Sequence, residues 1–123
     1  MLKSIVLVGL GGGIGSIFRY LVSVITAKNY AGNFPVATLS VNIIGCLIIG
    51  LLTGLLLKHN VLQNDFKLLF ITGFCGGLTT FSTFSLENIQ LYQSGHYLSM
   101  ISYITLSVLG GLAAVFAGLI LIK

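Results

Sequence analysis

A few polar side chains recur at helical spacing in a chain whose composition is 56% hydrophobic. Thr38, Asn42, Cys46 and Thr53 form one such set, and Ser99, Tyr103 and Ser107 form another. A third joins Phe81, Phe84, Ser85 and Asn88. Residues three or four apart share a helix face. A lone hydroxyl in an apolar helix usually bonds back to its own carbonyl ladder. An amide such as Asn42 needs a partner on another helix or a permeating species. Two ionisable groups, Arg19 and Glu87, lie in the last third of apolar segments, where such groups mark function by default. Each is either a snorkelling anchor or part of a pore mouth, and an arginine there would draw in anions. These types suit the handling of a small ion better than bond chemistry. No nucleophile–base pair and no cluster of metal-ligating side chains stands out.

The stretch GGLTTFSTFS, residues 76–85, is the least helix-like part of an apolar segment. Gly76 and Gly77 weaken the helix, and Thr79 and Thr80 offer competing hydroxyl bonds. They predict a break at about mid-membrane, tolerated only against protein or a water-filled cavity. A break frees carbonyl oxygens that suit a cation. Beyond it, Phe81 and Phe84 share a face, and the positive ring edges of phenylalanine attract an anion. The alternative is that both rings serve only packing or lipid contact.

These residues need apolar helices to hold them. With 123 residues, six basic and two acidic side chains and a mean hydropathy of +1.08, the chain reads as an all-α integral membrane protein. A span needs about 20 apolar residues, which leaves room for four in a single membrane domain over 1–123 and excludes a nucleic-acid-binding role for the net charge of +4. The spans are expected at about 4–27, 35–57, 66–92 and 97–122. The first is read as a span and not as a signal peptide. Pro35 suits the start of the second with Asn33 as its cap, Gly95 ends the third, and Lys123 anchors the fourth. A short polar loop, Lys58–Asp65, joins the second and third. Cys46 and Cys75 read as small buried hydrophobes.

Glycines four apart (Gly9 and Gly13, Gly11 and Gly15, Gly50 and Gly54, Gly73 and Gly77) predict close helix packing. The run VLVGLGGGIG mimics a dinucleotide loop but has Ile14 at the third glycine and no acidic residue downstream. An even number of spans puts both termini on one side. Lys3, Lys58, Lys67 and Lys123 then face Lys28 and Arg19 across the membrane. That bias is weak enough to permit insertion in both orientations.

GGGIGSIFRY at 11–20, TLSVNIIGC at 38–46 and GFCGGLTTFSTFS at 73–85, in this order over the whole chain, resemble the small bacterial fluoride channels of the Fluc or CrcB family. The resemblance implies a passive fluoride-selective channel of the inner (plasma) membrane that exports fluoride from the cytoplasm. It implies an antiparallel, dual-topology dimer of two identical copies in lipid, with two pores. Phe81, Phe84 and Asn42 would line the pore, with Ser82, Thr83, Tyr103 and Ser107 as further fluoride-binding groups and Arg19 and Glu87 in the vestibules. A structural sodium ion would sit at the dimer centre on carbonyls of Gly76 and Thr79. The chain departs from some members in having Gly111 and Val115 where hydroxyls continue the fourth span, and its charge bias leaves an oppositely oriented paralogue open as partner. Two other readings compete. A small multidrug-type cation exporter would need a carboxylate deep in the first span, which is missing. A non-transporting packing protein would have no use for a broken helix.

Overall fold

In the computed structural model, which describes residues 1–59 and 64–122, four helical segments are long and apolar enough to cross a membrane. They are Leu2–Asn29, Val36–His59, Asn64–Gln93 and Tyr97–Ile122. Each lies within two residues of its expected bounds. Helix α1 is Leu2–Asn29 and α2 is Val36–His59. The third segment is composite. It opens with α3 (Asn64–Phe66), widens into a π-helical stretch over Lys67–Cys75, and tightens into α4 (Gly76–Leu78). It resumes as α5 (Phe81–Gln93), and α6 is Tyr97–Ile122. The centre of the polar loop, residues 60–63, and the expected anchor Lys123 lie outside the described residues.

The helices pack in two pairs, α1 along the π-helical stretch and α4, and α2 along α6. Glycine sets both approaches. A Cβ on Gly11 would stand 2.8 Å from the Phe74 backbone nitrogen, and one on Gly15 2.8 Å from that of Leu78. A Cβ on Gly118 would stand 2.6 Å from the Leu51 nitrogen. No side chain fits at such distances, so backbones touch where lipid offers no hydrophobic drive for association. Gly50, Gly54, Gly73 and Gly77 also face neighbouring helices. Gly9 and Gly13 differ: among the described residues nothing lies within 4 Å of an added Cβ.

Three local expectations need adjustment. Pro35 sits just before α2, and its carbonyl accepts the Leu39 N–H at 3.2 Å, so Pro35 is the capping residue itself. Asn33 is not that cap; its side chain bonds His96 across the loops at 3.1 Å. Gly76 and Gly77 do not break the helix. Gly76 has φ −63° and ψ −36°, which is helical. The interruption follows at Thr79 (φ −88°, ψ 157°) and Thr80 (φ −152°, ψ 126°), both extended. Gly77 is small because α1 presses on it: its Cβ would stand 2.9 Å from the Gly12 carbonyl carbon. Gly95 does end the third segment, with φ +79°, a region that favours glycine.

Candidate functional site

The interruption at Thr79–Thr80 is held by one side chain from α2. The Oδ1 of Asn42 accepts the Thr80 N–H at 2.8 Å, and its Nδ2 donates to the Thr80 carbonyl at 3.1 Å. In an unbroken helix that N–H would reach the Gly76 carbonyl. Asn42 takes it instead, and its amide replaces a stretch of helix ladder. Thr80 then restarts the helix: its Oγ1 accepts the Thr83 N–H at 3.2 Å, the bond of an N-cap. Thr79 folds back, its Oγ1 donating to the Cys75 carbonyl at 2.8 Å.

The helix ladder therefore loses donors around the break. The Gly76 carbonyl has given up Thr80 N–H to Asn42, and the Thr79 carbonyl has given up Thr83 N–H to the Thr80 hydroxyl. The Gly77 carbonyl is taken by Arg19, whose Nε donates to it at 3.0 Å. That bond pins a guanidinium from α1 beside the break. Arg19, Ser16, Thr38, Thr80 and Thr83 line a cavity of about 280 Å³.

On the other side of Thr80 lies a more apolar cavity of about 290 Å³, lined by Asn42, Thr79, Thr80, Phe81, Phe84 and Ser107 among others. The Phe81 ring is 78% exposed in the single subunit, so one flank of this cavity lies open. Phe84 sits 5.8 Å from Phe81 between ring centroids and meets Tyr103 edge-on at 4.9 Å. The Ser107 Oγ is buried and has no hydrogen-bond partner among the described residues. Asn42 keeps a second amide hydrogen, since an NH₂ group carries two donors.

Glu87 follows Phe84 by three residues on α5, one turn beyond this cavity. Its Oε1 accepts the Tyr103 hydroxyl at 2.9 Å and its Oε2 the Thr38 hydroxyl at 3.0 Å. Tyr103 is fully buried and holds both Phe84 and Glu87. Glu87 also lines a third cavity, about 390 Å³, which opens between the α1–α2 loop and the α5–α6 turn.

The structure thus groups the expected site residues. Asn42, Phe81, Phe84, Ser107 and Thr79 share one cavity, Arg19 and Thr83 the next, and Tyr103 joins Glu87 to Phe84. Ser82 lines neither and is exposed, with its Oγ 3.3 Å from the Thr80 Oγ1. Thr80 was missed as a site residue, although it borders both cavities and bonds Asn42 twice. A threonine directly before an apolar helical run, at the end of a break, is an N-cap signal that points to it. Thr38, noted only as part of a polar face, is the second ligand of Glu87.

Residues 6–119 match the family model of the CrcB-like proteins, described as Camphor Resistance (CrcB). The chain belongs to this CrcB family. It is 53% identical over 121 residues to the fluoride-specific ion channel FluC of Azobacteroides pseudotrichonymphae genomovar. CFP2, across 98% of this chain and 97% of that one. It is 50% identical to the FluC of Flavobacterium psychrophilum, across 99% and 98%. Identity to the FluC of Pseudomonas fluorescens is 43%, across 100% and 99%. Asn42, Thr80 and the two phenylalanines of this CrcB chain bring amide N–H, hydroxyl and ring edges to one cavity. They offer no group that would make or break a covalent bond.

Proposed function

We propose that the chain is a passive, fluoride-selective channel that lets fluoride leave the cytoplasm across the inner (plasma) membrane. The observation that carries this reading is the cavity beside the Asn42–Thr80 clasp. A broken helix, two phenylalanines, an unpartnered Ser107 hydroxyl and a spare Asn42 N–H converge on it. Fluoride is small and tightly hydrated, so a pore must replace its water with closely placed donors. Asn42 and Ser107 supply such donors. The ring edges of Phe81 and Phe84 add a weak positive field that holds an anion without trapping it. Arg19 raises anion concentration at one end of the path. The names of the full-length relatives support this anion.

A second copy, inserted antiparallel, would close the open flank at Phe81 and give two pores. Gly9 and Gly13, which meet none of the described residues, supply a small-residue face for that approach. The interruption at Thr79–Thr80 then lies near the middle of the bilayer. Its carbonyls fit a structural sodium ion: Gly76 and Thr79 offer hard oxygen ligands that have lost their helical donors. Sodium there would neutralise carbonyl dipoles of both copies and fasten the dimer centre.

Two experiments test the reading. Bacteria without a fluoride exporter should regain growth in fluoride when they express this chain, and failure to do so at normal expression would contradict the function. A single cysteine in the 58–65 loop, on a Cys-less background, should react with impermeant reagents from both sides of the membrane. Labelling from one side only would replace the two-copy assembly by one with an oppositely oriented paralogue.

A further inference from the structure

We infer that a phospholipid with a net negative headgroup docks where α2 and α6 end, its phosphate against Lys58 and one acyl chain in the groove between the two helices. The inference stands apart from the channel reading and needs only that the helices span a membrane. The groove encloses about 490 Å³. Leu57 and Lys58 line it from α2, and Phe116, Leu119, Ile120 and Ile122 line it from α6. Gly54 lies where the helices close up, an added Cβ there standing 3.1 Å from the Ile122 Cβ.

The depth of the groove follows from the helix ends. Lys58 and His59 are the last two residues of α2, and α6 runs to Ile122. Both helices are long and apolar enough to cross a membrane, so these ends stand at headgroup level. A lysine there lays its stem on apolar surface and turns its ammonium to phosphate. From Ile122 back to Phe116 the groove follows α6 for about 9 Å toward the bilayer centre. Leu57 and Phe116 face out of the subunit, 68% and 64% exposed. One cation at the headgroup end and hydrocarbon below it match the two parts of an anionic lipid.

Charge decides between the possible occupants. A second copy of this chain could cover the apolar side chains, but it has no acidic side chain to spare for Lys58. The chain carries two, Asp65 and Glu87. Asp65 is paired with Lys3 at 2.7 Å, and the Glu87 carboxylate accepts from Thr38 and Tyr103. A lipid phosphate brings the missing anion, and its chain brings the apolar cover. A zwitterionic headgroup carries its own cation and complements Lys58 less well. One basic side chain beside anionic headgroups favours binding about five-fold.

The test is thermal unfolding of the full chain in a neutral detergent, titrated with phosphatidylglycerol or with phosphatidylcholine of the same acyl chains. Half-maximal stabilisation should need about five-fold less phosphatidylglycerol. Lys58→Gln should raise the phosphatidylglycerol midpoint to that of phosphatidylcholine and leave the latter where it was. Lys67→Gln, on the same side of the membrane but outside this groove, should keep the preference. Glycerol phosphate, a headgroup without chains, should not stabilise. Equal midpoints for the two lipids in wild type overturn the inference, and so does a preference that survives Lys58→Gln. Loss of the preference in Lys67→Gln reduces it to a general attraction of basic helix ends, and stabilisation by glycerol phosphate reduces it to a bare anion site; either result overturns the lipid. A photoreactive benzophenone at position 116, in phosphatidylglycerol vesicles, should attach to lipid. Capture of a second chain instead puts the partner copy in the groove, and the inference fails.

Discussion

Replacing Asn42 by alanine is the sharpest test of how the break is held. The substitution removes both bonds to Thr80, at 2.8 and 3.1 Å. Each part-buried bond is worth about 1 kcal/mol net, and an orphaned backbone group costs about 1–3 kcal/mol. The Thr80 N–H is not stranded, because the Gly76 carbonyl is within helical reach once the chain straightens. The loss is therefore about 2 kcal/mol in favour of the unbroken helix, or roughly a 30-fold shift between the two conformations. Straightening would rotate Phe81 and Phe84 away from the cavity and return the Gly76 carbonyl to the ladder. Fluoride efflux of Asn42→Ala should fall at least about ten-fold, while helicity measured by circular dichroism stays level or rises. Asn42→Asp separates the clasp from the charge. It keeps the acceptor for Thr80 N–H but sets a carboxylate oxygen against the Thr80 carbonyl and a negative charge on the anion path. It should block efflux and be no more stable to heat than alanine, because a carboxylate facing a carbonyl costs more than the one retained bond returns. Wild-type efflux in Asn42→Ala would show that the clasp neither shapes the break nor lines the path.

Three further outcomes follow from the same geometry. Phe81→Ile and Phe84→Ile keep most of the volume and lose the positive ring edge, so both should elute as wild type does and lose most fluoride efflux, with Phe→Met the milder control; full efflux in both Ile variants makes the rings packing residues. Gly77→Ala drives a Cβ to 2.9 Å from the Gly12 carbonyl carbon and should cost about 1–3 kcal/mol in thermal unfolding, whereas Gly76→Ala meets nothing within 4 Å and should leave subunit stability unchanged; equal melting of the two variants contradicts the assigned contacts. Arg19→Leu removes the donor to the Gly77 carbonyl at 3.0 Å together with the cation beside Thr80 and Thr83, so efflux should fall, and fall less at high salt where the attraction is already screened; an unchanged rate at low salt would reduce Arg19 to an anchor.

Much of this was legible in the chain because the physics was local. Apolar runs of membrane length and the glycine at 95 give the four helical segments within a residue or two. Threonines beside two glycines announce an interruption in the third. The interruption falls inside the stretch the sequence marks, but at its threonines and not at its glycines, because glycine propensity and glycine packing look alike. Only the touching of Gly77 by Gly12 reveals that this glycine serves contact and not flexibility. The π-helical stretch Lys67–Cys75 leaves no mark, since its side chains are almost uniformly apolar and hydrogen-bond register is invisible in composition. Asn42 was singled out as an amide needing a partner, but the partner is backbone 38 residues away, which no spacing rule encodes. The same holds for Thr38 and Tyr103, which both donate to the carboxylate of Glu87.

The central claim is selective passage of fluoride through this protein alone. Purified chain reconstituted at low density into liposomes loaded with potassium fluoride or potassium chloride, with a potassium ionophore to release the counter-charge, isolates that step. An ion-selective electrode outside should record rapid fluoride release and retention of chloride. Equal release of both anions, or no fluoride release from protein that elutes as an intact assembly, would contradict the account.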